Sequence, residues 1–223
     1  PTLVTANANN SCGSASCQFT YVVKDHENPV INNNNALADI NAFNNPGDCG
    51  AMVTVNIPSF TDNCLGGTIS GVRDDAFQLN EHYAVGTTTI TWTATDATGI
   101  NSVTAIQYVN VTDNEQPSIS CQGNITQSNA TGQCGKTVTY NSSSAGDNCG
   151  AVTLTYSPAS GSFFNVGTTP VLVTATDSHD NTNNCMFTVT INDTEAPVIT
   201  CPANTTINTN TAGCSVTLAG IGT

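Results

Sequence analysis

Positive charge is almost missing from this 223-residue chain, in which Lys24, Arg73 and Lys136 are the only lysines and arginines. Against 16 Asp and Glu they leave a net charge of −13 at pH 7. Such a surface repels phosphate backbones and anionic headgroups, so neither nucleic acid nor a membrane surface is an expected partner. Long apolar runs are missing as well. None approaches the roughly 18 residues that a spanning helix requires, so no membrane insertion is expected of this segment. An apolar 3.6-residue period is also absent, which argues against helices.

What the chain does have is repetition. Asp25-His-Glu-Asn-Pro-Val-Ile31 returns as Asp113-Asn-Glu-Gln-Pro-Ser-Ile119 and as Asp193-Thr-Glu-Ala-Pro-Val-Ile199. Between these openings the same order of phrases recurs: Asp62-Asn-Cys64 and Asp147-Asn-Cys149, then Val85-Gly-Thr-Thr88 and Val166-Gly-Thr-Thr169, then Ala94-Thr-Asp96 and Ala175-Thr-Asp177. A period of roughly 80–90 residues marks a tandem array rather than one globule. The expected division is 1–24 as the last strands of a truncated repeat, 25–112 and 113–192 as full repeats, and 193–223 as the first strands of another. Both ends cut a repeat in mid-phrase, and the expectation is an excerpt from a longer repetitive chain.

Alternation identifies the strands. Thr89-Ile-Thr-Trp-Thr-Ala-Thr95 places an apolar residue at every second position, and Val171, Val173 and Ala175 occupy the same face in the next copy. Period two with β-branched residues is a half-buried strand. Trp92 therefore stands where the other copy has Val173, and is expected inside the core. Pro1–Ala6 matches Pro170–Ala175, and the closing strand Cys185–Ile191 has earlier relatives at Cys17–Val23 and Ala105–Val111. Further strands are expected after each Gly-Cys turn, marked by Val53 and Val55, by Val138 and Tyr140 and, after Gly213-Cys214, by Leu218, and around 68–72 and 152–156. The fold class is all-β: tandem immunoglobulin-like sandwiches, disulfide-stapled and arranged end to end.

Ten cysteines without zinc-type pair spacing point to disulfides and an oxidising, extracellular compartment. The repeat at 113–192 has four, Cys121, Cys134, Cys149 and Cys185; the repeat at 25–112 keeps the middle two as Cys49 and Cys64, with Asn33 and Ala105 at the outer positions. Thiols lost together are read as partners. The expected bridges are therefore Cys121–Cys185, Cys134–Cys149 and Cys49–Cys64, the second requiring residues 141–147 to fold back. By loop entropy, closing about 15 residues contributes about 3 kcal/mol and closing about 64 contributes about 4 kcal/mol. Cys17, Cys201 and Cys214 are left to the missing parts of their units, and Cys12 has no counterpart.

On the Asp-x-Glu-x-Pro openings, Cys201-Pro, Gly-x-Cys, Asp147-Asn-Cys-Gly150, Phe163-Phe-Asn-Val-Gly-Thr-Thr169 and Ala-Thr-Asp, the chain resembles the HYR (hyalin repeat) family. The resemblance implies an immunoglobulin-like extracellular module with roles in adhesion, matrix or surface architecture. It runs over essentially the whole chain, departing at the missing outer cysteine pair of 25–112 and at Ser178-His-Asp180, where the family has Gly-Asn.

The opening acids carry the one candidate for ion binding. In such a sandwich the first strand starts where the loop between the last two strands turns. Asp96, and Asp177 with Asp180, are expected to approach Asp25 and Glu27, or Asp113 and Glu115, as a candidate Ca²⁺ site at the repeat junctions. The competing reading is that Asp caps a turn while Glu stays hydrated. His26, His82 and His179 fall at unmatched positions, which excludes a repeated imidazole site, and no Gly-x-Ser-x-Gly elbow occurs. No catalytic residue is assigned, and no enzyme is expected. Sequons begin at Asn9, Asn110, Asn124, Asn129, Asn141, Asn192 and Asn204, so a secreted glycoprotein is compatible with the sequence.

The favoured function is structural: part of a long surface fibre, stalk or adhesin whose partners are neighbouring copies of the repeat. The alternative is a non-catalytic module of a larger secreted protein that binds a ligand, a surface glycan or a protein. A glycan-binding face needs exposed aromatics. Here the single tryptophan points inward, and Tyr83 and Tyr108 have no counterpart between copies.

Overall fold

The computed structural model describes residues 1–32, 35–201, 203, 204 and 206; Asn33, Cys214 and Leu218 lie outside them. Every element among the described residues is a strand, and no helix there is long and apolar enough to cross a membrane. The chain opens with a hairpin, β1 (Thr2–Asn10) and β2 (Gly13–Tyr21). The next eight strands are β3 (Val30–Ile31), β4 (Ile40–Phe43), β5 (Gly50–Met52), β6 (Phe60–Thr61), β7 (Thr68–Arg73), β8 (His82–Ala84), β9 (Gly86–Thr95) and β10 (Ser102–Thr112). Eight more repeat their order: β11 (Ser118–Ser120), β12 (Ile125–Ser128), β13 (Gly135–Val138), β14 (Ser144–Gly146), β15 (Thr153–Ser157), β16 (Ser162–Asn165), β17 (Gly167–Thr176) and β18 (Thr182–Asn192).

Each set of eight forms an immunoglobulin-like sandwich. One layer is a four-stranded sheet, β4-β10-β9-β7 in the first and β12-β18-β17-β15 in the second, in which β4 and β12 run parallel to the last strand. The facing layer consists of short pairs, β3–β6 and β5–β8, then β11–β14 and β13–β16. Alternation is obeyed where it was read. Ile90, Trp92 and Ala94 are buried on β9, as are Val171, Val173 and Ala175 on β17 and Phe187, Val189 and Ile191 on β18. Two apolar cores result, one drawn from residues 31–111 and one from 119–191. The strand expected at Val53 and Val55 ends at Met52, although both valines are buried.

The cores differ in content but agree in shape. Trp92 lies opposite Gly71 on β7 and Ala105 on β10; the matching Val173 lies opposite Tyr156 and Cys185. A Cβ on Gly71 would stand 2.8 Å from Trp92 Cζ3. Glycine is therefore required beneath the indole, while the smaller valine admits a tyrosine. Ala105 and Trp92 likewise occupy the region that the second repeat fills with the Cys121–Cys185 bridge. Burial of a tryptophan and closure of a 64-residue loop are each worth about 3–5 kcal/mol, so one offsets the loss of the other.

Two features were not read correctly in the sequence. Tyr83 does have a counterpart: it is fully buried on β8 where Phe164 is buried on β16. Its ring lies beneath the guanidinium of Arg73, 3.6 Å from the centroid. Arg73 itself is buried, and donates to Asp75, to Gln78 O at 2.9 Å and to His82 O at 2.9 Å. In the hairpin, Cys17 lies opposite Ala6, whereas the matching Cys185 lies opposite Val173, the counterpart of Val4 by sequence. Leu3, Phe19 and Tyr21 there are at least half exposed. With no facing layer, a two-residue slip is tolerated because it leaves every side chain on its own face.

Two substitutions test this packing. Trp92→Val should lower unfolding free energy in urea by about 2–4 kcal/mol, and adding Gly71→Tyr should recover part of the loss. Gly71→Tyr alone should be the more damaging. Arg73→Met should cost about 3 kcal/mol, because it strips Asp75 and the carbonyls of Gln78 and His82 of their buried donor.

Candidate functional site

The feature that both full repeats share, and that no single sandwich explains, is their head-to-tail junction. Where β10 ends, Asn44 N donates to Thr112 O (3.0 Å). The Asn44 amide then serves two masters: Nδ2 donates to Asp48 O (3.1 Å) and Oδ1 accepts from Asn114 N (3.1 Å). At the tip of this turn Gly47 has φ 75°, the left-handed region that favours glycine. Its N–H donates to Glu115 Oε2 at 2.8 Å. One repeat length on, the arrangement is duplicated. Asn129 N donates to Asn192 O (3.0 Å), Asn129 Nδ2 to Gln133 O (3.0 Å), and Oδ1 accepts from Thr194 N (3.1 Å). Gly132, φ 71°, donates to Glu195 Oε2 at 2.7 Å. The Glu of the second and third opening phrases, Glu115 and Glu195, thus caps a turn of the preceding sandwich.

The Asp of each opening phrase has a different task. Asp25, Asp113 and Asp193 accept from the backbone N–H two residues on, at Glu27, Glu115 and Glu195. The loop aspartates do come near them, through an asparagine. Asn101 Nδ2 joins Asp96 Oδ2 (3.0 Å) to Asp25 O (3.3 Å), and Asn181 Nδ2 joins Asp177 Oδ2 (3.0 Å) to Asp113 O (3.4 Å). Asp96 also accepts from Thr98 N, Thr98 Oγ1 and Ile100 N, and Asp177 from His179 N and Asn181 N. Both carboxylates are buried yet saturated. Burial pushes each pKa up, but these hydrogen bonds outweigh it and hold both below the usual carboxylate range. Asp180 is exposed at the loop tip with φ 66°, and Glu27 is exposed.

Of the seven acids expected at calcium sites in the junctions, Glu27 and Asp180 are exposed, and the other five are spread over three jobs. Asp96 and Asp177 organise loops, Glu115 caps the preceding repeat, and Asp25 and Asp113 anchor the entry. A smaller set does converge. Asp113, Asp147 and Cys149 offer ligand atoms within 4.8 Å of one another. Asp113 Oδ2 and Asp62 Oδ1 are buried without a hydrogen-bond partner, and Asp25 Oδ2 has only the weak Cys64 thiol beside it. His179 Nδ1 lies 3.2 Å from Asp113 Oδ2, out of line for a hydrogen bond. Asp62 and Asp147 were missed as candidates, although their place in the repeated Asp-Asn-Cys phrase was visible.

The cysteines correct the expected connectivity. Cys121 is bonded to Cys185. Cys49 is bonded to Cys149, with 4.7 Å between Cα atoms, in place of Cys49–Cys64 and Cys134–Cys149; Cys64 and Cys134 are free and exposed. The reason is the path of the chain between the Gly-x-Cys and Asp-Asn-Cys turns. Residues 141–147 do not fold back: Ser144–Gly146 is β14, paired with β11, and continues in the direction of β13. The segment so carries the chain from the turn beside Glu195 to the turn beside Asp113. These are opposite ends of one sandwich, and only the adjoining repeat brings the two kinds of cysteine together.

Residues 112–191 match the family model described as HYR domain. The chain is 30% identical over 197 residues to hyalin of Strongylocentrotus purpuratus, a match that spans 84% of this chain and 16% of that protein. It is 30% identical over 160 residues to hyalin of Lytechinus variegatus, spanning 70% of this chain and 29% of that protein. It is also 31% identical over 191 residues to sushi, von Willebrand factor type A, EGF and pentraxin domain-containing protein 1 of Mus musculus, 83% of this chain and 5% of that protein. The chain thus spans less than a third of the length of each of these relatives.

Acid should undo the loops. The folded-state pKa values of Asp96 and Asp177 are depressed. The stability they contribute is therefore present above the unfolded carboxyl pKa of about 3.9 and is lost as pH falls through the lower folded values. Melting temperature should stay level from pH 7 to about 5 and drop below about 4, less steeply in Asp96→Asn and Asp177→Asn. Contact with the Asp25 carboxylate raises the Cys64 thiol pKa, so Asp25→Asn should speed alkylation of Cys64 by iodoacetamide at pH 8.

Proposed function

We propose that this chain, which belongs to the HYR domain family, is a load-bearing segment of a long extracellular fibre, stalk or adhesin. One observation supports this above the others: the Cys49–Cys149 bond fastens one sandwich to the next. Tension entering the first repeat passes through sulfur into the second, and the residues between the two cysteines are shielded. The second repeat's own Cys121–Cys185 bond overlaps that loop. Around the bridge, Asn44 and Glu115 lock the turn of one repeat to the entry of the next, so the linker has no slack. Hydrogen bonds of this kind resist bending, and the bridge resists separation.

The same reading places a calcium ion at each junction. Its support is the set of buried carboxylate oxygens without a hydrogen bond, Asp113 Oδ2 in one repeat, with His179 Nδ1 3.2 Å away, and Asp62 Oδ1 in the other, where Asp25 Oδ2 has only the weak Cys64 thiol beside it. Each of these carboxylates has its other oxygen hydrogen-bonded to a backbone N–H, and a hard cation that takes six to eight oxygens, several of them from water, would use the remaining one. Asp147 joins Asp113 as a ligand, and the saturated Asp96 and Asp177 fix the loop behind them.

Pulling the oxidised chain from its ends should give a short extension. Reduction should then add more than about 300 Å of contour, since the bridge spans 100 residues at roughly 3.3–3.6 Å each. Equal extension in both states contradicts a load path through sulfur. Millimolar calcium should raise the melting temperature of the intact chain, and Asp113→Asn should abolish much of the rise. A melting temperature indifferent to calcium removes the ion from the reading while leaving the mechanical part standing.

A further inference from the structure

The bond between Cys49 and Cys149 pairs two different motifs, the Gly-x-Cys turn that closes one repeat and the Asp-Asn-Cys turn that opens the next. Both motifs occur twice in the chain, so each repeat carries one cysteine at either end. The turns are built alike wherever they occur. Gly47 and Gly132 share the same left-handed φ, 75° and 71°. Cys64 N donates to Asp62 Oδ2 at 3.1 Å, and Cys149 N to Asp147 Oδ2 at 2.7 Å. After Cys49–Cys149 is formed, one cysteine of each motif remains, Cys64 at the head of the first repeat and Cys134 at the tail of the second.

We propose that Cys49–Cys149 is one rung of a covalent ladder, and that Cys64 and Cys134 are its open half-rungs. Cys134 takes the Asp-Asn-Cys cysteine of a following repeat, and Cys64 takes the Gly-x-Cys cysteine of a preceding one. The strongest support is at the tail. The opening phrase of the next repeat is already seated on the Cys134 turn, with Glu195 accepting from Gly132 and Thr194 N donating to Asn129 Oδ1. Those contacts reproduce, residue for residue, the ones Glu115 and Asn114 make beside Cys49. A repeat that docks in this way presents its Asp-Asn-Cys turn where Cys149 stands relative to Cys49. At the head, the Cys64 thiol lies next to the Asp25 carboxylate, as Cys149 lies next to Asp113.

The ladder also accounts for the cysteine pattern. The outer pair, Cys121 and Cys185, is internal to one sandwich and can be replaced there by Trp92 and Ala105. The Gly-x-Cys and Asp-Asn-Cys cysteines each answer to a neighbouring repeat, so neither is dispensable in any one copy. Each rung forms by thiol–disulfide exchange with a small-molecule or protein disulfide as oxidant. A thiolate attacks the oxidant and releases one of its thiols; the partner thiolate then displaces the second. Two S–H bonds become one S–S bond, and their two protons end on the two sulfurs of the oxidant, whose disulfide becomes two thiols.

The inference rests on the head-to-tail array but not on its mechanical role, and its test reads linkage alone. Native protein is collected into N-ethylmaleimide, digested without reduction and mapped by mass spectrometry. The expected result joins the Cys49 peptide to the Cys149 peptide, the Cys134 peptide to an Asp-Asn-Cys peptide of another repeat, and the Cys64 peptide to a Gly-x-Cys peptide of another repeat. Maleimide on Cys64 or Cys134 overturns the ladder beyond the first rung. A Cys49–Cys64 or Cys134–Cys149 linkage overturns it entirely. The 223-residue chain, oxidised and mapped in the same way, isolates the first rung: Cys49–Cys149 supports it, and Cys49 left alkylated overturns it. A fibre could bear load with unlinked repeats, so failure here is distinct from failure of the mechanical reading.

Discussion

Each sandwich in this chain ends on a turn whose hydrogen bonds are completed by its neighbour. The turn that carries Gly47 has an outward amide and an asparagine with an acceptor to spare. Both find partners in the next three residues of chain after β10, Asp113 to Glu115. Polar groups at such an interface must be paired, because losing a partner there costs far more than a hydrogen bond gains at the open surface. Pairing them with the entry strand of the following repeat fixes the angle at which it departs. That entry strand in turn sets where Asp113, and therefore the Asp-Asn-Cys turn, must lie. The cross-repeat disulfide follows from a geometry that backbone hydrogen bonds have already determined.

Much of this was legible in one dimension because the chain contains its own comparison. The two-residue alternation of β9 and β17 placed Trp92 and Val173 in the core, and the structure has them there. The approach of Asp96 to Asp25 and of Asp177 to Asp113 followed from where the strands begin in an immunoglobulin-like sandwich. The disulfides were legible only in part. Reasoning from which thiols disappear together separates the outer pair from the inner one correctly, but it assumes that partners belong to the same repeat. A cysteine pair that spans neighbouring copies leaves the same mark in the sequence. Only the course of the chain from Gly135 to Gly146 decides between them. Arg73 escaped for another reason: it occurs in one copy, and a single basic residue in an acidic chain reads as surface until Tyr83 and two carbonyls are seen around it.

The two cores show how such an array can change in composition and keep its outline. In one, an indole rests on a glycine beside an alanine; in the other, a valine faces a tyrosine beside a disulfide. Close packing permits the exchange only as a set, since an added methylene or a vacated one is felt by every neighbour. The outer surface of each sandwich is freer, and leaves apolar side chains such as Ile106, Leu172 and Met186 exposed. The ends are not free at all. Asn44 and Asn129, Gly47 and Gly132, Glu115 and Glu195 are the same residues in the same roles at both junctions. An end-to-end array is constrained most tightly where its units meet, which is the reverse of a string of domains on flexible linkers.

Charge completes the argument. An acidic chain with almost no lysine cannot hold its units together by surface ion pairs, which would in any case contribute little and weaken with salt. The acids at the junction are instead assigned to backbone amides and asparagine side chains. Glu115 and Glu195 accept from glycine N–H groups, and Asp96 and Asp177 from their own loops. The few carboxylate oxygens left over lie beside the Asp-Asn-Cys turns, where a sulfur of the neighbouring repeat also arrives. Cohesion in this chain therefore depends on directional hydrogen bonds to backbone amides and on sulfur rather than on ion pairs.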